Sequence, residues 1–290
     1  MEHINEFETY LRDNGKAEKT IESYTGDMKG YIQYLKEKGI TYDGTINRFS
    51  VNSYKNHLID NNYHPTTINK KLNSLQSLNM FLVATEQMKN MVINLARDRI
   101  KIAKGSEKKV EVYPDDVVEA LLFHMESGSK SLRDKVIVNL LLFTGVRVSE
   151  LVAIRIRDID FLNHQLKVIG KGGKYREIPL KPELVETIKK YILKRLSNPY
   201  YKSEYLLLGQ RGVLGRDAVN RILARITKEA KLPTKLKPHA CRHTFCTNLI
   251  KKGVPLTTVA KLAGHAGIDT TARFYVGCSH QEKRDAVNLL

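Results

Sequence analysis

The stretch that decides the fold of this chain is KPHACRHTFCTNLIKKGVPLTTVAKLAGHAGIDTTARFY, from Lys237 to Tyr275. Its pattern predicts three helical runs. The first begins at Pro238, because the N–H that proline lacks is one that the first turn of a helix leaves unpaired anyway, and it ends at Gly253. The three runs carry four side chains that can bear chemistry: His239, Arg242, His265 and Tyr275.

In the first run, His239 and Arg242 are three positions apart and therefore share one face of the helix. The apolar stripe of the same helix lies on another side and consists of Cys241, Phe245 and Leu249. The pair is therefore free to face a cleft. A histidine and an arginine at this spacing also occur by chance, and by themselves they fit a surface or packing role better. The functional interpretation depends on the rest of the chain.

The net charge of the chain is +17, and it is unevenly placed. The first 100 residues carry a net charge of only +1, so residues 101–290 carry +16. A charge of this size favours a polyanionic partner, most simply nucleic acid, where each neutralised phosphate also releases counterions. The alternative is a basic surface that only keeps the protein in solution.

Composition also narrows the class of protein. No apolar stretch reaches the roughly 18–20 residues that span a bilayer, and the start MEHINEFETY lacks the basic flank and apolar centre of a signal peptide. We therefore expect a cytoplasmic protein without a membrane partner. The cysteines, Cys241, Cys246 and Cys278, have neither a disulfide nor a zinc spacing, and we interpret them as packing residues.

Four amphipathic helices are predicted in the first 90 residues, beginning near Glu2, Thr20, Ser50 and Pro65. Together they predict a small helical domain over residues 1–90. Helix starts suit phosphate groups, because free N–H groups and the helix dipole point there. The candidate DNA-binding lysines near these starts are Lys19, Lys70 and Lys71.

A basic, polar segment, RDRIKIAKGSEKKVEV, separates the two halves of the chain, and we interpret residues 91–110 as a linker that can follow a DNA backbone. The second domain then spans 111–290. Its apolar run VIVNLLLF, which ends at Gly145, predicts the central helix of a core. Arg147 follows at the start of the next helix, where by itself it fits a surface arginine.

The period changes in HQLKVIGKGGKYREIPL, where apolar residues alternate with polar ones on both sides of a glycine-rich turn. This predicts a β-hairpin in which Leu166 and Val168 share one face, and Arg176 and Ile178 share one face of the second strand. Lys171 lies at the tip, where it can enter a cleft, although lysines at hairpin tips are usually only solvated.

A basic helix is predicted from Arg216 to Leu232, after another glycine-rich turn. Its exposed side carries three candidate DNA-binding side chains, Arg216, Arg221 and Arg225. Such a helix can enter the major groove of DNA, and a merely solvated charged face explains it equally well.

Taken together, these residues resemble the tyrosine recombinase (phage integrase) family. The resemblance rests on five motifs in the family's order: TGVRVSEL around Arg147, VIGKGGKYREIPL around Lys171, HACRHTF from His239, LAGHAGIDTT at His265, and Tyr275. It covers the whole chain, because the segment KTIESY resembles the family's core-binding domain. The short two-domain layout resembles Xer-type and transposon-encoded members more than phage integrases with an additional arm-binding domain.

The resemblance implies a mainly α fold. The N-terminal part is then a four-helix, SAM-like core-binding domain, and the C-terminal part is a mixed, mainly helical catalytic domain with a small antiparallel β-sheet. One feature departs from the family. The family tyrosine usually lies nine residues after the histidine of its L-G-H motif, whereas Tyr275 lies ten after His265 and Phe274 occupies the ninth place. Phenylalanine has no oxygen that could attack, so we assign the nucleophile to Tyr275.

The implied reaction is an attack of the Tyr275 oxygen on a DNA phosphodiester, which retains the bond energy and needs no ATP. The resemblance makes the product a 3′-phosphotyrosine and a free 5′-hydroxyl. A free tyrosine has a pKa of about 10, so its oxygen needs help in losing its proton, and His239 is the acid/base candidate by family analogy. Arg147 and Arg242 can each fork onto the non-bridging oxygens, which would replace a metal ion. We expect neither a metal nor a cofactor.

Two further roles follow from the resemblance. Lys171 would protonate the leaving 5′ oxygen, and His265 would donate a hydrogen bond to the phosphate. Glu150 would orient a neighbouring side chain, and His243 fits a packed structural histidine better.

The family's assembly is also implied. We expect a dimer on one double-stranded recombination site and a tetramer on two, with strand exchange in pairs through a Holliday junction, in resolution, integration or excision of a transposon or replicon. The apolar face near Val287 of a predicted terminal helix could join neighbours in a closed ring. Two alternatives remain open: a type IB topoisomerase-like enzyme that relaxes DNA, and a non-catalytic DNA-binding regulator.

Overall fold

The computed structural model of the chain describes residues 2–101, 111–127, 130–170, 173 and 175–265. The chain divides into two compact units, Met1–Lys108 and Lys109–Leu290. Within the described ranges, the helices lack the combination of length and apolar character that crossing a membrane requires.

The first unit is helical. Its described residues form α1 (Glu2–Asp13), α2 (Glu18–Glu37), α3 (Arg48–Asp60), α4 (Pro65–Ala84) and the short α5 (Leu95–Asp98). The four helices predicted from apolar spacing are confirmed, and α2 packs against α4. The core between the helices includes Phe7, Tyr31, Leu58, Leu72 and Leu78, all essentially inaccessible to solvent.

α3 begins at Arg48, close to the start that was predicted near Ser50. Asn47, not Ser50, is the N-cap, and its side chain accepts a 2.8 Å hydrogen bond from the Ser50 N–H. The Ser50 hydroxyl in turn lies 3.4 Å from the Asn47 N–H, which completes a capping box. Serine and asparagine both cap helices, so the sequence alone did not decide between them.

The first unit also extends beyond residue 90, where we expected the linker to begin. Ile93 is buried in its core, and the Asn79 side chain accepts hydrogen bonds from the Val92 and Ile93 N–H groups at 2.7 and 3.2 Å. Arg48 forms a salt bridge with the buried Asp98 carboxylate. Residues 92–100 therefore fold against the helices, and the rest of the expected linker, 102–110, lies outside the described residues.

The described part of the second unit is also mainly helical. Its helices are α6 (Asp115–Glu126), α7 (Leu132–Thr144), α8 (Val148–Ala153), α9 (Pro182–Arg195), α10 (Arg216–Glu229), α11 (Pro238–Lys251) and α12 (Leu256–Ala263). The predicted central helix is α7, which packs against both α9 and α11. Its residues Val136, Ile137, Leu140 and Leu141 are buried, so this helix is apolar on more than one face.

The predicted hairpin consists of β2 (Gln165–Ile169) and β3 (Tyr175–Pro179), which pair antiparallel with Val168 opposite Arg176. A third strand, β1 (Ile159–Asp160), pairs antiparallel with β2. It was not predicted, because two residues are too few to show an alternating pattern. A second small sheet pairs β4 (Leu208–Gly209) with β5 (Gly212–Val213).

Candidate active site

Arg147 is the N-cap residue of α8, and its side chain turns back onto the same helix. Its Nη1 donates a 2.8 Å hydrogen bond to Glu150 Oε1, while its backbone N–H donates to Glu150 Oε2 at 2.8 Å. Its Nη2 donates to the carbonyl oxygen of Gly264 at 2.8 Å. One guanidinium thus joins the start of α8 to the segment directly before His265.

A second arginine holds the same carboxylate from the hairpin. Arg176 donates from Nη1 and Nη2 to the two oxygens of Glu150, at 3.1 and 2.8 Å, and from Nε to the Leu262 carbonyl oxygen at 2.8 Å. The Glu150 side chain is only 6% exposed. Burial alone raises the pKa of Glu150, but the hydrogen bonds from Arg176 and Arg147 outweigh it, and the pKa lies below its usual value.

Arg242 is buried, with 3% of its surface exposed. Its Nη1 donates a 2.6 Å hydrogen bond to the carbonyl oxygen of Gly145. Its buried Nη2 has no hydrogen-bond acceptor among the residues that the structure describes. Burial, together with the positive charge of Arg147, lowers the pKa of Arg242 to about 10. A buried donor of this kind is costly unless an acceptor arrives, and the oxygen of an anion is such an acceptor.

Three histidines surround the arginines. His239 and His243, one turn apart on α11, stack edge to face with ring centroids 4.3 Å apart. Burial and the charges of Arg242 and Arg147 lower the pKa of His239. Burial, with His239 as the next contribution, lowers the pKa of His243 to about 4. Burial, and then Arg242 and Arg147, lower the pKa of His265 to about 4. All three shifts favour the neutral form of the ring.

Two glycines let side chains approach the backbone at the site. Gly145 ends α7 with φ +61°, and a Cβ added there would lie 2.4 Å from Phe245 Cδ1. Gly264 ends α12 with φ +67°, and an added Cβ would lie 2.6 Å from Arg176 Nη1. Both positions combine a left-handed backbone with a close contact, so only glycine fits them without a shift.

The N-terminal end of α11 is fixed by Tyr113. The Tyr113 N–H donates to Thr244 Oγ1 at 2.9 Å, and its hydroxyl donates to the Lys235 carbonyl oxygen at 3.0 Å. The same hydroxyl accepts a 2.8 Å hydrogen bond from the Lys237 N–H. The helix that carries His239 and Arg242 is therefore held at the turn where it begins.

The structure brings together four of the six predicted catalytic residues: Arg147, His239, Arg242 and His265. Lys171 and Tyr275 lie outside the described residues, so their positions stay predictions. His243, interpreted from the sequence as a packed histidine, is 6% exposed. Among the described residues, no group of three or more histidine, cysteine or acidic side chains is arranged to hold a metal ion.

Arg176 was not among the site residues predicted from the sequence. The signal was its register: Arg176 lies opposite the buried Val168 and on the same face of β3 as the buried Ile178. A charged residue on the core face of an amphipathic strand needs a buried partner. Here that partner is Glu150.

The candidate DNA-binding lysines are placed differently from one another. Lys19 is exposed on α2. The ammonium groups of Lys70 and Lys71 lie 2.8 and 3.3 Å from the carboxylate of the buried Asp27. The side chain of Lys71 is only 18% exposed, whereas that of Lys70 is 49% exposed. Lys71 therefore serves the packing of the helices, and Lys70 offers a partly neutralised charge to solvent.

The candidate arginines of α10 lie on a cleft of about 700 Å³ at the start of that helix. Its basic lining consists of Arg133, Arg211, Arg216, Arg221 and Arg225. Arg225 is also in a salt bridge with the buried Asp134 and a second one with Glu229 at 2.7 Å. Arg221 is exposed and Arg216 is half-buried, so these two have the more available charges.

The helical first unit, the mixed second unit and the cluster of arginines and histidines together define a class of DNA strand-transfer enzymes. A family model described as the phage integrase family matches residues 111–282, and a second model, the phage integrase N-terminal SAM-like domain, matches residues 4–86. The chain belongs to the phage integrase family and is a tyrosine recombinase, an enzyme of site-specific recombination.

Individual relatives agree with this assignment. Tyrosine recombinase XerC of Staphylococcus aureus (strain MRSA252) is 29% identical over 290 residues, which covers 98% of this chain and 95% of the relative. A crystal structure of the XerH site-specific recombinase bound to palindromic difH substrate has a TM-score of 0.76 at 21% identity, covering 92% of this chain and 78% of that one. The Tn1549 transposon integrase, in complex with transposon right end DNA, has a TM-score of 0.72 at 21% identity, covering 99% of each chain. The predicted family and fold class are confirmed.

Proposed function

We propose that the chain cleaves and rejoins duplex DNA at a specific site through a covalent 3′-phosphotyrosine at Tyr275. One observation carries the proposal: Arg147 and Arg176 share a single carboxylate, Glu150, and the buried Arg242 lies within electrostatic range of both Glu150 and Arg147. Among the described residues, these three arginines and one carboxylate leave an excess of two positive charges. Such an excess in a partly desolvated place favours an anion. The buried, unsatisfied Nη2 of Arg242 is a donor suited to one oxygen of a phosphodiester.

In the proposed reaction, the Tyr275 oxygen attacks the scissile phosphorus. The new bond joins that oxygen to phosphorus, the bond from phosphorus to the 5′ oxygen breaks, and the electron pair leaves with the 5′ oxygen. His239, whose pKa is lowered by burial and by the charges of Arg242 and Arg147, accepts the phenolic proton, and Lys171 donates a proton to the 5′ oxygen. Rejoining reverses these steps with a 5′-hydroxyl from another strand.

The guanidiniums stabilise the charge that develops on the non-bridging oxygens. The contacts of Arg147 to Gly264 and Glu150, and of Arg242 to Gly145, hold both guanidiniums in place before DNA binds. His265 adds a neutral hydrogen-bond donor to the same phosphate. Little reorganisation is then required when the reaction begins.

The finer biological role is part of the same proposal. We propose dimers on one site, a tetramer on two, and a Holliday-junction intermediate. The likeness to a transposon integrase bound to transposon DNA, and to Xer recombinases, supports a role in the integration, excision or resolution of a mobile element or replicon. Because the substrate is duplex DNA, we propose that the protein acts in the cytoplasm. Arg216 and Arg221, in the cleft at α10, would contact the DNA backbone or groove. Lys19 and Lys70 of the first unit would also contact the DNA.

The test is covalent trapping on a nicked duplex. The duplex carries the sequence that the full chain selects from a random pool, with a nick that lets the short cleaved fragment diffuse away. We expect an adduct resistant to denaturant with the wild-type chain, mapped to Tyr275 by mass spectrometry, and none with Tyr275→Phe. The adduct should form equally in excess EDTA.

The outcomes separate the alternatives. An adduct that persists in Tyr275→Phe would refute the assigned nucleophile. Dependence on Mg²⁺ would indicate a nuclease. Relaxation of supercoiled DNA that lacks the selected site, without recombinant products, would favour the topoisomerase-like alternative. Tight binding to the site without any adduct would favour a regulator.

A further inference from the structure

We propose that Arg176 is a positioning residue of the cleavage reaction, because its guanidinium fixes both the Glu150 carboxylate that orients Arg147 and the turn that precedes His265. The inference concerns the DNA cleavage step of the proposed function and rests on that proposal. Arg176 makes no contact with the scissile phosphate in this proposal and acts through its neighbours.

The contacts of Arg176 are those of a clamp between three elements. The residue lies on β3, and its Nη1 and Nη2 bind both oxygens of Glu150 on α8. Its Nε binds the Leu262 carbonyl oxygen in the last turn of α12. The side chain is only 13% exposed, so these hydrogen bonds are largely shielded from competing water.

Glu150, held by Arg176, also binds Arg147. The carboxylate accepts from Arg176 and also from the N–H and Nη1 of Arg147. Oε1 accepts from both guanidiniums, and Oε2 accepts from the Arg176 guanidinium and the Arg147 backbone N–H. A displacement of one arginine therefore changes the geometry available to the other. The orientation of Arg147 therefore depends on a residue that lies outside its own helix.

The turn before His265 is held by the same two arginines. Arg176 binds the Leu262 carbonyl oxygen, and Arg147 binds that of Gly264. Gly264 makes the close approach possible, because a Cβ there would lie 2.6 Å from Arg176 Nη1 and 2.9 Å from its Cζ. A left-handed glycine packed against this guanidinium is an independent indication that the turn is built around an arginine.

A lysine could not replace Arg176 in this geometry. A lysine keeps the positive charge, but a single ammonium cannot bind two carboxylate oxygens and a carbonyl oxygen in the fixed directions that the planar guanidinium provides. Arg176→Lys therefore tests the geometry of these hydrogen bonds separately from the positive charge. Arg176→Met removes both the hydrogen bonds and the charge.

The experiment measures the single-turnover rate of adduct formation at saturating protein, and the dissociation constant for DNA, with the nicked duplex described above. We expect Arg176→Lys to lower the saturating rate about a hundredfold, since a misplacement of about 1 Å can have this effect, and Arg176→Met to lower it further. The dissociation constant should change by less than about threefold. The matched control is Arg157→Met, which removes an arginine that also pairs with a carboxylate, Glu204 at 3.8 Å, but is 68% exposed.

A second measurement does not depend on activity. Amide hydrogen exchange in the DNA-free full chain should become about tenfold faster or more at Gly264 and His265 in Arg176→Lys and stay unchanged in Arg157→Met. In the wild-type chain these two N–H groups bond to the carbonyl oxygens of Lys261 and Ala260, at 3.1 and 3.0 Å.

Each outcome has one meaning. A wild-type chain that forms no adduct contradicts the proposed function, while the exchange measurement still decides whether Arg176 fixes the turn. With an active wild type, an unchanged rate in Arg176→Lys overturns the positioning role. Weaker DNA binding with an unchanged saturating rate also overturns it, because Arg176 would then contact DNA directly.

Discussion

Gly145 offers the sharpest test of how the active site is packed. It ends α7 with φ +61°, and its carbonyl oxygen accepts the 2.6 Å hydrogen bond from buried Arg242. An alanine there would adopt the left-handed region, which costs about 1–2 kcal/mol. Its Cβ would also lie 2.4 Å from Phe245 Cδ1, and overpacking of this kind costs about 1–3 kcal/mol. We expect Gly145→Ala to lower the free energy of unfolding of the second unit by about 2–5 kcal/mol.

A matched control separates the two contributions. Gly253 follows α11 with φ +79°, but an added Cβ there meets no atom within 4 Å. Gly253→Ala therefore carries the backbone cost alone. The difference between the two variants, measured by urea denaturation of the full chain, should equal the cost of displacing the Phe245 ring, about 1–3 kcal/mol.

A double-mutant cycle identifies the ring as the cause. In a Phe245→Ala background the clash is absent, so Gly145→Ala should cost about 1–3 kcal/mol less than in the wild-type chain. Equal losses for Gly145→Ala and Gly253→Ala, or no coupling between Gly145 and Phe245, would refute the packing argument. We also expect slower cleavage in Gly145→Ala, because the displaced backbone changes the acceptor that holds Arg242.

Three further predictions concern the charged groups of the site. Arg242→Lys should lower the single-turnover rate of adduct formation about 10²–10³-fold, the usual effect of removing one donor to a developing charge, and a loss below about tenfold would contradict this role. Glu150→Ala leaves the guanidiniums of Arg147 and Arg176 without their carboxylate and should lower the free energy of unfolding by about 3–5 kcal/mol in urea titrations. A loss below about 1 kcal/mol would mean that these ion pairs behave as solvent-exposed ones. His243, whose pKa is lowered from 6.5 to about 4, is protonated earlier in the unfolded chain than in the folded one. The stability that it contributes is therefore complete above about pH 6.5 and is lost as the pH falls towards 4, by at most about 3 kcal/mol, and thermal denaturation of His243→Asn between these pH values should show a flatter dependence.

The helices of the first unit were predictable because each has a clear apolar stripe. The end of that unit was not. Residues 92–100 have the charged composition of a linker, yet Asn69, Asn79 and Arg48 bind them from other helices. Asn69, for example, accepts a 2.8 Å hydrogen bond from the Ile100 N–H, 31 residues away. Contacts of this range leave no periodic signal in the segment itself.

The residues of the site were easier to predict from the sequence than the contacts between them. The spacing of His239 and Arg242 on one helix face could be taken from the sequence, and the resemblance to a family added Arg147 and His265. The bridge from Arg176 through Glu150 to Arg147 required coordinates, because it joins a strand to a helix 26 positions away in the sequence. The sequence did contain one indication of this bridge, because an arginine on the buried face of a strand needs a partner of opposite charge.

The positive charges and the histidines of the site depend on each other. After burial, Arg242 and Arg147 are the next causes that lower the pKa values of His239 and His265. A neutral imidazole can accept a proton from a tyrosine, whereas an imidazolium cannot. In the proposed reaction, the arginines therefore have two effects: they attract the phosphate, and they keep His239 in the form that can act as a base. Once a phosphodiester is bound, its negative charge opposes the second effect, so the pKa of His239 rises at the stage when the ring must hold the proton it receives.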